Sequence, residues 1–411
     1  MKNVKHYLIL LLFSTMAWSI LSCKKDNGDR VPVSTDQTKP GMVTAVKVNN
    51  YNGGAYITYD LPVSENILYV LAKYQIRDGV PRETKSSYYT DTITVDGFAQ
   101  DKDYEVTLYT VSRSDVMSDP VTVKVHPTTP VFTQARTALT LTPDFGGVNI
   151  KTTNQAKKEI GILLLAYDPS TKQMEIQDQH YTKEAVVNYS VRGFDAKERN
   201  FGVYITDKYG NISDTLKAAV TPLFEELLDK SLFFENRLAS DTQLYTDQPW
   251  PVSAIWNGKT DNSVSGWHTL PGQSPPFTLT FGVGRTYQLS RFILWERSDQ
   301  FAFGHGNPRV FTLWGSNAAN PADAKLPLSS AEGTVVGDWI NLGNYNYPPP
   351  PSGLAPLANN DADKAFVRAG VNFNVRLDAP VVRFLRVAVA QTWGGGTFAH
   401  FMEISLYGKA N

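Results

Sequence analysis

The chain has 411 residues, a formal net charge of −1 and 12% aromatic residues. That length points to two or three domains, and the aromatic content argues against disorder. The balanced charge, with no basic block interleaved with aromatics, argues against nucleic acid as a partner.

The N-terminus has the layout of a secretory signal. Lys2 and Lys5 precede an apolar run from Tyr7 to Ile20, too short for a comfortable membrane span, and "ILSC" closes it. Cys23 is the only cysteine, so no intramolecular disulfide can form. A sole cysteine at this place resembles the lipobox of bacterial lipoproteins. The resemblance implies cleavage after residue 22, lipid modification of Cys23 and a membrane anchor. Residues 23–39 are polar and contain Pro and Gly, a tether rather than a domain. Asp26 and Asp29 resemble the acidic signals that send Bacteroidetes lipoproteins to the cell exterior, so an outer-membrane location facing outward is expected.

Residues 40–127 read as all-β. "GAYITYDLP" and "YEVTLYTVSRS" are β-rich runs bounded by turn residues, and Tyr104, Val106 and Leu108 alternate with polar neighbours as in a half-buried strand. This module resembles a fibronectin type III sandwich, with "YEVTLYTV" at the strand that carries the tyrosine corner. Residues 128–222 repeat the theme through "LTLTPDFGGVNIKTT", "EIGILLLAYDPSTKQMEI" and "RNFGVYITDKYGNISDTLKAAVTP". Both are expected to act as spacers. "TPLFEELLDKSLFF" (221–234) carries a Thr-Pro start and apolar i,i+4 pairs, which predicts a helix within a connector, 223–240.

Residues 241–411 form the third module. Of eight tryptophans, Trp18 lies in the signal and the other seven all fall here. Short apolar runs bounded by Gly, Pro or polar residues predict an antiparallel sandwich or barrel. In chain order, "AIWNGKTDNSVSGWHT", "PPFTLTFGVGRTYQLSRFILWER", "NPRVFTLWGSN", "RFLRVAVAQTWGGG" and "HFMEISLYG" resemble the discoidin, or coagulation-factor type C, domain. The resemblance implies a galactose-binding-like jelly-roll whose end loops hold sugars. The fold expected is thus all-β: two tandem immunoglobulin- or fibronectin-like sandwiches followed by a discoidin-like jelly-roll. The whole arrangement resembles glycan-capture lipoproteins of Bacteroidetes that accompany starch-utilisation-type outer-membrane transporters, which makes a transporter complex a further expected partner.

The residues themselves argue for binding rather than catalysis. No G-x-S-x-G elbow and no H-E-x-x-H occurs, and the six histidines show no zinc spacing. The triple glycine 394–396 is followed by a strand-like run instead of a helix, so it is not a phosphate loop. Sugar recognition needs a flat aromatic face for the pyranose C–H side and fixed polar groups for the hydroxyls. Trp393 and Phe398, flanking the glycines, are expected at solvent-facing strand ends, with Trp393 touching the ligand. By resemblance to sugar-binding relatives, His268 and Arg297 supply hydroxyl contacts, with Phe301 and His305 following in a glycine-bearing loop. The partner expected is a polysaccharide or a glycoprotein glycan; a protein partner gripped by the same loops, or a cryptic glycan hydrolase, are the alternatives. No cofactor is required. The resemblance also implies a structural calcium, for which Asp261 and Glu403 offer oxygens, although Asn257 stands where the family has an aspartate.

Overall fold

The computed structural model describes residues 34–246, 250–261, 266–355 and 357–411; Cys23 and the signal segment lie outside the described residues. The described residues are all-β, a succession of sheet-built units with two short α-helices among them.

In the first unit, Thr44–Tyr51, Gly54–Asp60 and Thr92–Asp96 form one sheet. Val80–Ser87, Ile67–Arg77, Tyr104–Ser112 and Val121–Val125 form the other. Alternation places Ala55, Ile57 and Tyr59 of one sheet and Val106 and Leu108 of the other in a shared core. The Tyr104 hydroxyl accepts the Gln100 backbone N–H at 3.1 Å, the tie expected of a tyrosine corner. The second unit stacks a four-stranded sheet centred on Ile160–Asp168 and Arg199–Asp207 against a three-stranded one centred on Gly147–Thr153. A helix not anticipated from the sequence, Val131–Thr137, closes this core with Val131, Phe132 and Ala135.

The first two units are bound tightly to one another. The Gly53 N–H donates to the Thr128 carbonyl at 3.0 Å, and the Thr128 N–H donates to the Tyr51 carbonyl at 3.1 Å. Arg77 donates to the Asn211 side chain at 2.6 Å, and Asn211, 2% exposed, donates to the Gly97 carbonyl at 2.9 Å.

The third unit is organised by one 19-residue strand, Phe277–Trp295. Its first part pairs with Val382–Thr392 and its second with Glu403–Ala410, so the strand changes neighbours along its length. The change falls around Gly284, whose φ of 78° is a left-handed conformation suited to glycine. Trp267, Phe281, Phe292, Leu385 and Ile404 fill the main core, while Trp314 and Trp339 anchor a second cluster.

The helix predicted over 221–234 does not form. Glu226–Leu227 pairs with Glu403–Ala410, Phe234–Glu235 pairs with Phe277–Trp295, and only a single 3₁₀ turn, Lys230–Leu232, separates them. The i,i+4 apolar pairs are misleading: Leu228 is buried, whereas Phe224 and Leu227 are half exposed. Unpaired edges of the third unit's sheet offered this segment backbone partners, and that tertiary gain overrode local propensity. The connector is therefore part of the third unit. Glu225 within it fastens both sides, pairing with Arg291 at 3.0 Å and approaching Arg192 of the second unit at 3.7 Å.

Candidate functional site

One rim of the third unit gathers several of the residues singled out by the sequence. The short strand Trp267–His268 pairs with His400–Phe401 in a register that sets His268 opposite His400. Trp267 turns inward and is fully buried, leaving the half-buried His268 facing the rim. Its imidazole stacks on Phe398 at 5.1 Å with a 7° interplanar angle, and lies 5.1 Å from Trp250 and 5.3 Å from Tyr245.

Arg297 leaves the end of Phe277–Trp295 and enters a tight loop. Asn307, fully buried, fixes that loop from within. Its amide donates to the carbonyls of Arg297 and Phe301 at 2.9 Å each, and its oxygen accepts the Arg297 N–H at 3.0 Å. Asp299, Phe303 and His305 all hold left-handed backbone conformations, which non-glycine residues keep only where surroundings over-determine them. The result is a cage of rings around the arginine. Its guanidinium sits 3.8 Å from the Phe301 ring centroid and 5.4 Å from that of Trp250, while His305 packs edge-on against Phe301 at 4.7 Å.

The electrostatics divide the cluster into donor and acceptor. Burial lowers the Arg297 pKa from its ordinary value, yet the group remains a cation, and its Nε has no hydrogen-bond partner among the described residues. Burial, chiefly, with the nearby Arg297 and His305, also lowers His268, keeping it neutral at pH 7. Its Nδ1–H donates to the Thr269 carbonyl at 2.7 Å, which leaves Nε2 as an acceptor. Behind them His400 is fully buried and held well below the usual histidine range by desolvation. Its Nε2 accepts the Gly306 N–H at 3.1 Å, so it positions the loop. A Cβ on Gly306 would meet both His400 and Phe398 at 2.8 Å, hence the glycine.

The structure thus brings together His268, Arg297, Phe301, His305 and Phe398, and adds Trp250, Tyr245 and His400. Trp250 carried a usable signal, an aromatic beside Pro251 outside any apolar run; Tyr245 and His400 carried none. Trp393 stands apart. Its indole packs edge-on against Phe303 at 5.2 Å and Tyr347 at 6.5 Å, with the Arg309 guanidinium 5.1 Å over its ring. Its buried N–H faces inward, toward the fully buried Glu296, whose pKa desolvation raises well above the ordinary carboxylate value. Trp393 and the three glycines line a separate groove with Pro275 and Arg309, about 370 Å³ in volume. The aromatic partners of Arg297 are Phe301 and Trp250, and Trp393 is not among them.

The residues at the expected calcium position do not suit that ion. Both oxygens of the buried Glu403 are engaged, one by the Lys230 ammonium and the other by the Gly258 N–H at 3.0 Å. Lys230 also donates to the Ser405 hydroxyl at 2.8 Å. A lysine therefore supplies the positive charge that a hard cation would bring, and Ca²⁺ would need several further oxygens in its place. Among the described residues no group of three His, Cys, Asp or Glu is placed to hold a metal, and Asp261 is exposed with its own interaction.

Three family models match the chain in tandem, each described as a domain of unknown function: DUF4959 over residues 40–127, DUF5126 over 128–231 and DUF5000 over 256–408. No curated protein matches. Among solved structures, a SusE-like protein is 26% identical over 69% of this chain and 100% of its own, with a TM-score of 0.41. A module named CBM32-3, from a family 31 glycoside hydrolase of Clostridium perfringens, is 16% identical over 44% of this chain and 95% of its own, TM-score 0.31. A two-domain fibronectin type III segment of chicken tenascin is 10% identical over 44% and 99%, TM-score 0.23. At these scores the likenesses carry no functional argument, and the chemistry of the rim has to supply it.

Proposed function

We propose that this chain is a lipid-anchored cell-surface protein that captures carbohydrate through the loop rim of its third unit, without catalysis, while the first two units hold that rim away from the membrane. The observation that carries the reading is the rim cluster itself. Arg297 offers forked donors, neutral His268 offers an acceptor at Nε2, and Phe301, Phe398 and Trp250 present ring faces beside them. A pyranose needs that set: an aromatic surface for its C–H face and both donor and acceptor for neighbouring hydroxyls. Among its described residues the cluster contains no carboxylate pair of the kind glycoside hydrolysis uses; Glu296 lies buried beneath it and Asp299 pairs with Arg368. A single stack with a few hydroxyl contacts binds on the order of −4 to −7 kcal/mol, roughly millimolar to ten micromolar. Many anchored copies on one polymer gain by avidity. Anchorage at Cys23, an outward-facing outer-membrane location and association with a transporter belong to the same reading.

The test is affinity electrophoresis of the full chain against a panel of polysaccharides, beside His268→Ala and Phe301→Ala, with reducing ends assayed in parallel. Retardation by at least one polysaccharide, weakened in both variants and without new reducing ends, is the expected result. Retardation by none of them, with capture of a protein instead, supports the adhesion alternative; release of reducing ends makes the protein a hydrolase.

A further inference from the structure

The junction between the first two units encloses a cavity of about 280 Å³. Its floor is apolar: Phe98 and Phe132, 0% and 4% exposed, lie beside Pro130 and Ile160, with half-buried Tyr51 at the side. Tyr209 of the second unit forms a wall, its hydroxyl donating to Asp96 of the first at 2.5 Å. Its ring occupies the place a Cβ on Gly97 would take, 2.9 Å away, so the two units meet as closely as backbone allows. Together with the Arg77–Asn211–Gly97 bonds, this makes the cavity preformed rather than a gap between loosely tethered domains.

Charge at this cavity is net positive: Arg82 offsets Asp96 and Lys183 offsets Glu159, and Asp207, which keeps its charge, stands against three further lysines. Asp96 is taken by Tyr209, with Arg82 at 3.5 Å, and Asp207 accepts the backbone N–H groups of Tyr209 and Asn211. Glu159 pairs with Lys183 at 3.3 Å. Three exposed lysines remain: Lys208, lying over the Tyr209 ring, and Lys157 and Lys158, whose ammonium groups form no ion pair among the described residues. The last two sit on a tightly built turn. Asn154, 1% exposed, donates to the Lys158 carbonyl at 2.7 Å and its backbone carbonyl accepts the Lys157 N–H at 2.8 Å. Lys157 is held at a φ of 50°, a conformation a lysine keeps only under constraint. Two consecutive lysines are thus presented at the mouth of an apolar, preformed cavity.

We propose that this junction is a second ligand site, independent of the rim, and that it takes a sugar ring bearing a carboxylate or a sulfate. The ring would lie against the half-buried Tyr51 and Tyr209, above the buried Phe98 and Phe132, and its anionic group would face Lys157, Lys158 and Lys208. The anionic class follows from the junction alone; the choice of a saccharide rests on the carbohydrate reading of the third unit. The test titrates the full chain by calorimetry with a trigalacturonate, a sulfated disaccharide, the neutral galactose trisaccharide and inorganic sulfate. The same titrations are run on K157Q/K158Q and on R297A.

Salt-sensitive binding of the uronate or the sulfated sugar is expected, at least tenfold weaker in K157Q/K158Q and unchanged in R297A; which of the two binds identifies the acid group. The proposal is overturned if neither acidic sugar binds, or if the double lysine variant binds them as tightly as the parent. It is also overturned, as to the saccharide, if inorganic sulfate binds as well as the sugars. A neutral glycan lost in R297A but kept in K157Q/K158Q reports on the rim alone, so failure at one site is separable from failure at the other.

Discussion

The first two units pair a three-stranded with a four-stranded sheet, whereas the third is built round a nine-stranded one, and the contacts that join the first two differ from the loop that forms the third's rim. In the first pair, loop polar groups are consumed by each other: Arg77 by Asn211, Asn211 by Gly97, Tyr209 by Asp96. In the third, the loop that carries Arg297 is satisfied from below by Asn307, and the arginine itself is left stacked on rings. The difference separates a rigid stem from a presenting surface. A buried amide that ties a loop's backbone from within frees the exposed side chains of that loop for a ligand.

That contrast can be broken at four places, in decreasing order of expected effect. Asn307→Ala removes three buried hydrogen bonds and leaves the Arg297 N–H and carbonyl without a partner, while the Phe301 carbonyl keeps the Gly304 N–H, for a loss of about 3 kcal/mol. Because Trp250 to Trp393 all lie in the third unit, thermal unfolding followed by tryptophan fluorescence reads this loss directly. An unchanged midpoint would show that the loop is held by something else. Asn211→Ala should cost about 2 kcal/mol at the junction and broaden the particle in solution scattering, while leaving the tryptophan-detected transition in place.

His400→Gln tests the pH dependence. Its folded pKa lies below the unfolded value near 6.5, so the unfolded chain binds the extra proton. The stability His400 contributes is therefore complete above pH 6.5 and declines as pH falls below it, by about 1.4 kcal/mol per unit. The parent-minus-variant difference in unfolding free energy should slope in that window and be flat above it; no slope would mean that His400 is not desolvated. Phe398→Leu removes the stacking partner of His268 and should weaken glycan binding by a few-fold, with little change in stability.

Much of the fold was written in the sequence, because period-2 alternation around Tyr104 and Val203 specifies a buried strand face with no knowledge of its partners. The failure at 221–234 has the converse cause. Thr-Pro and the leucine pairs are genuine helix signals, but an open sheet edge at Tyr407 and Gly408, far along the chain, competed for the same backbone, and local pattern does not register it. The helix Asp361–Ala369 carries its own local signals: Asn360 and Asp363 make a capping box and Gly370 ends it. At the site, rim residues flanking strand ends could be read from the sequence, as for His268 and Arg297. The inward turn of Trp393 could not, since it depends on Phe303 and Tyr347 from distant loops. The pairing of Lys230 with Glu403 was equally hidden, because that lysine comes from the connector, far from Glu403 in the chain.

The central claim is that Arg297, caged by Phe301 and Trp250, is the polar centre of a carbohydrate-binding rim. Calorimetric titration of the full chain with the best polysaccharide of the panel, parent against Arg297→Ala, tests it most directly. The account predicts a loss of roughly ten- to hundredfold in affinity, equal to about 1.4–2.8 kcal/mol, with an unchanged unfolding midpoint. Equal affinities in parent and variant would contradict it.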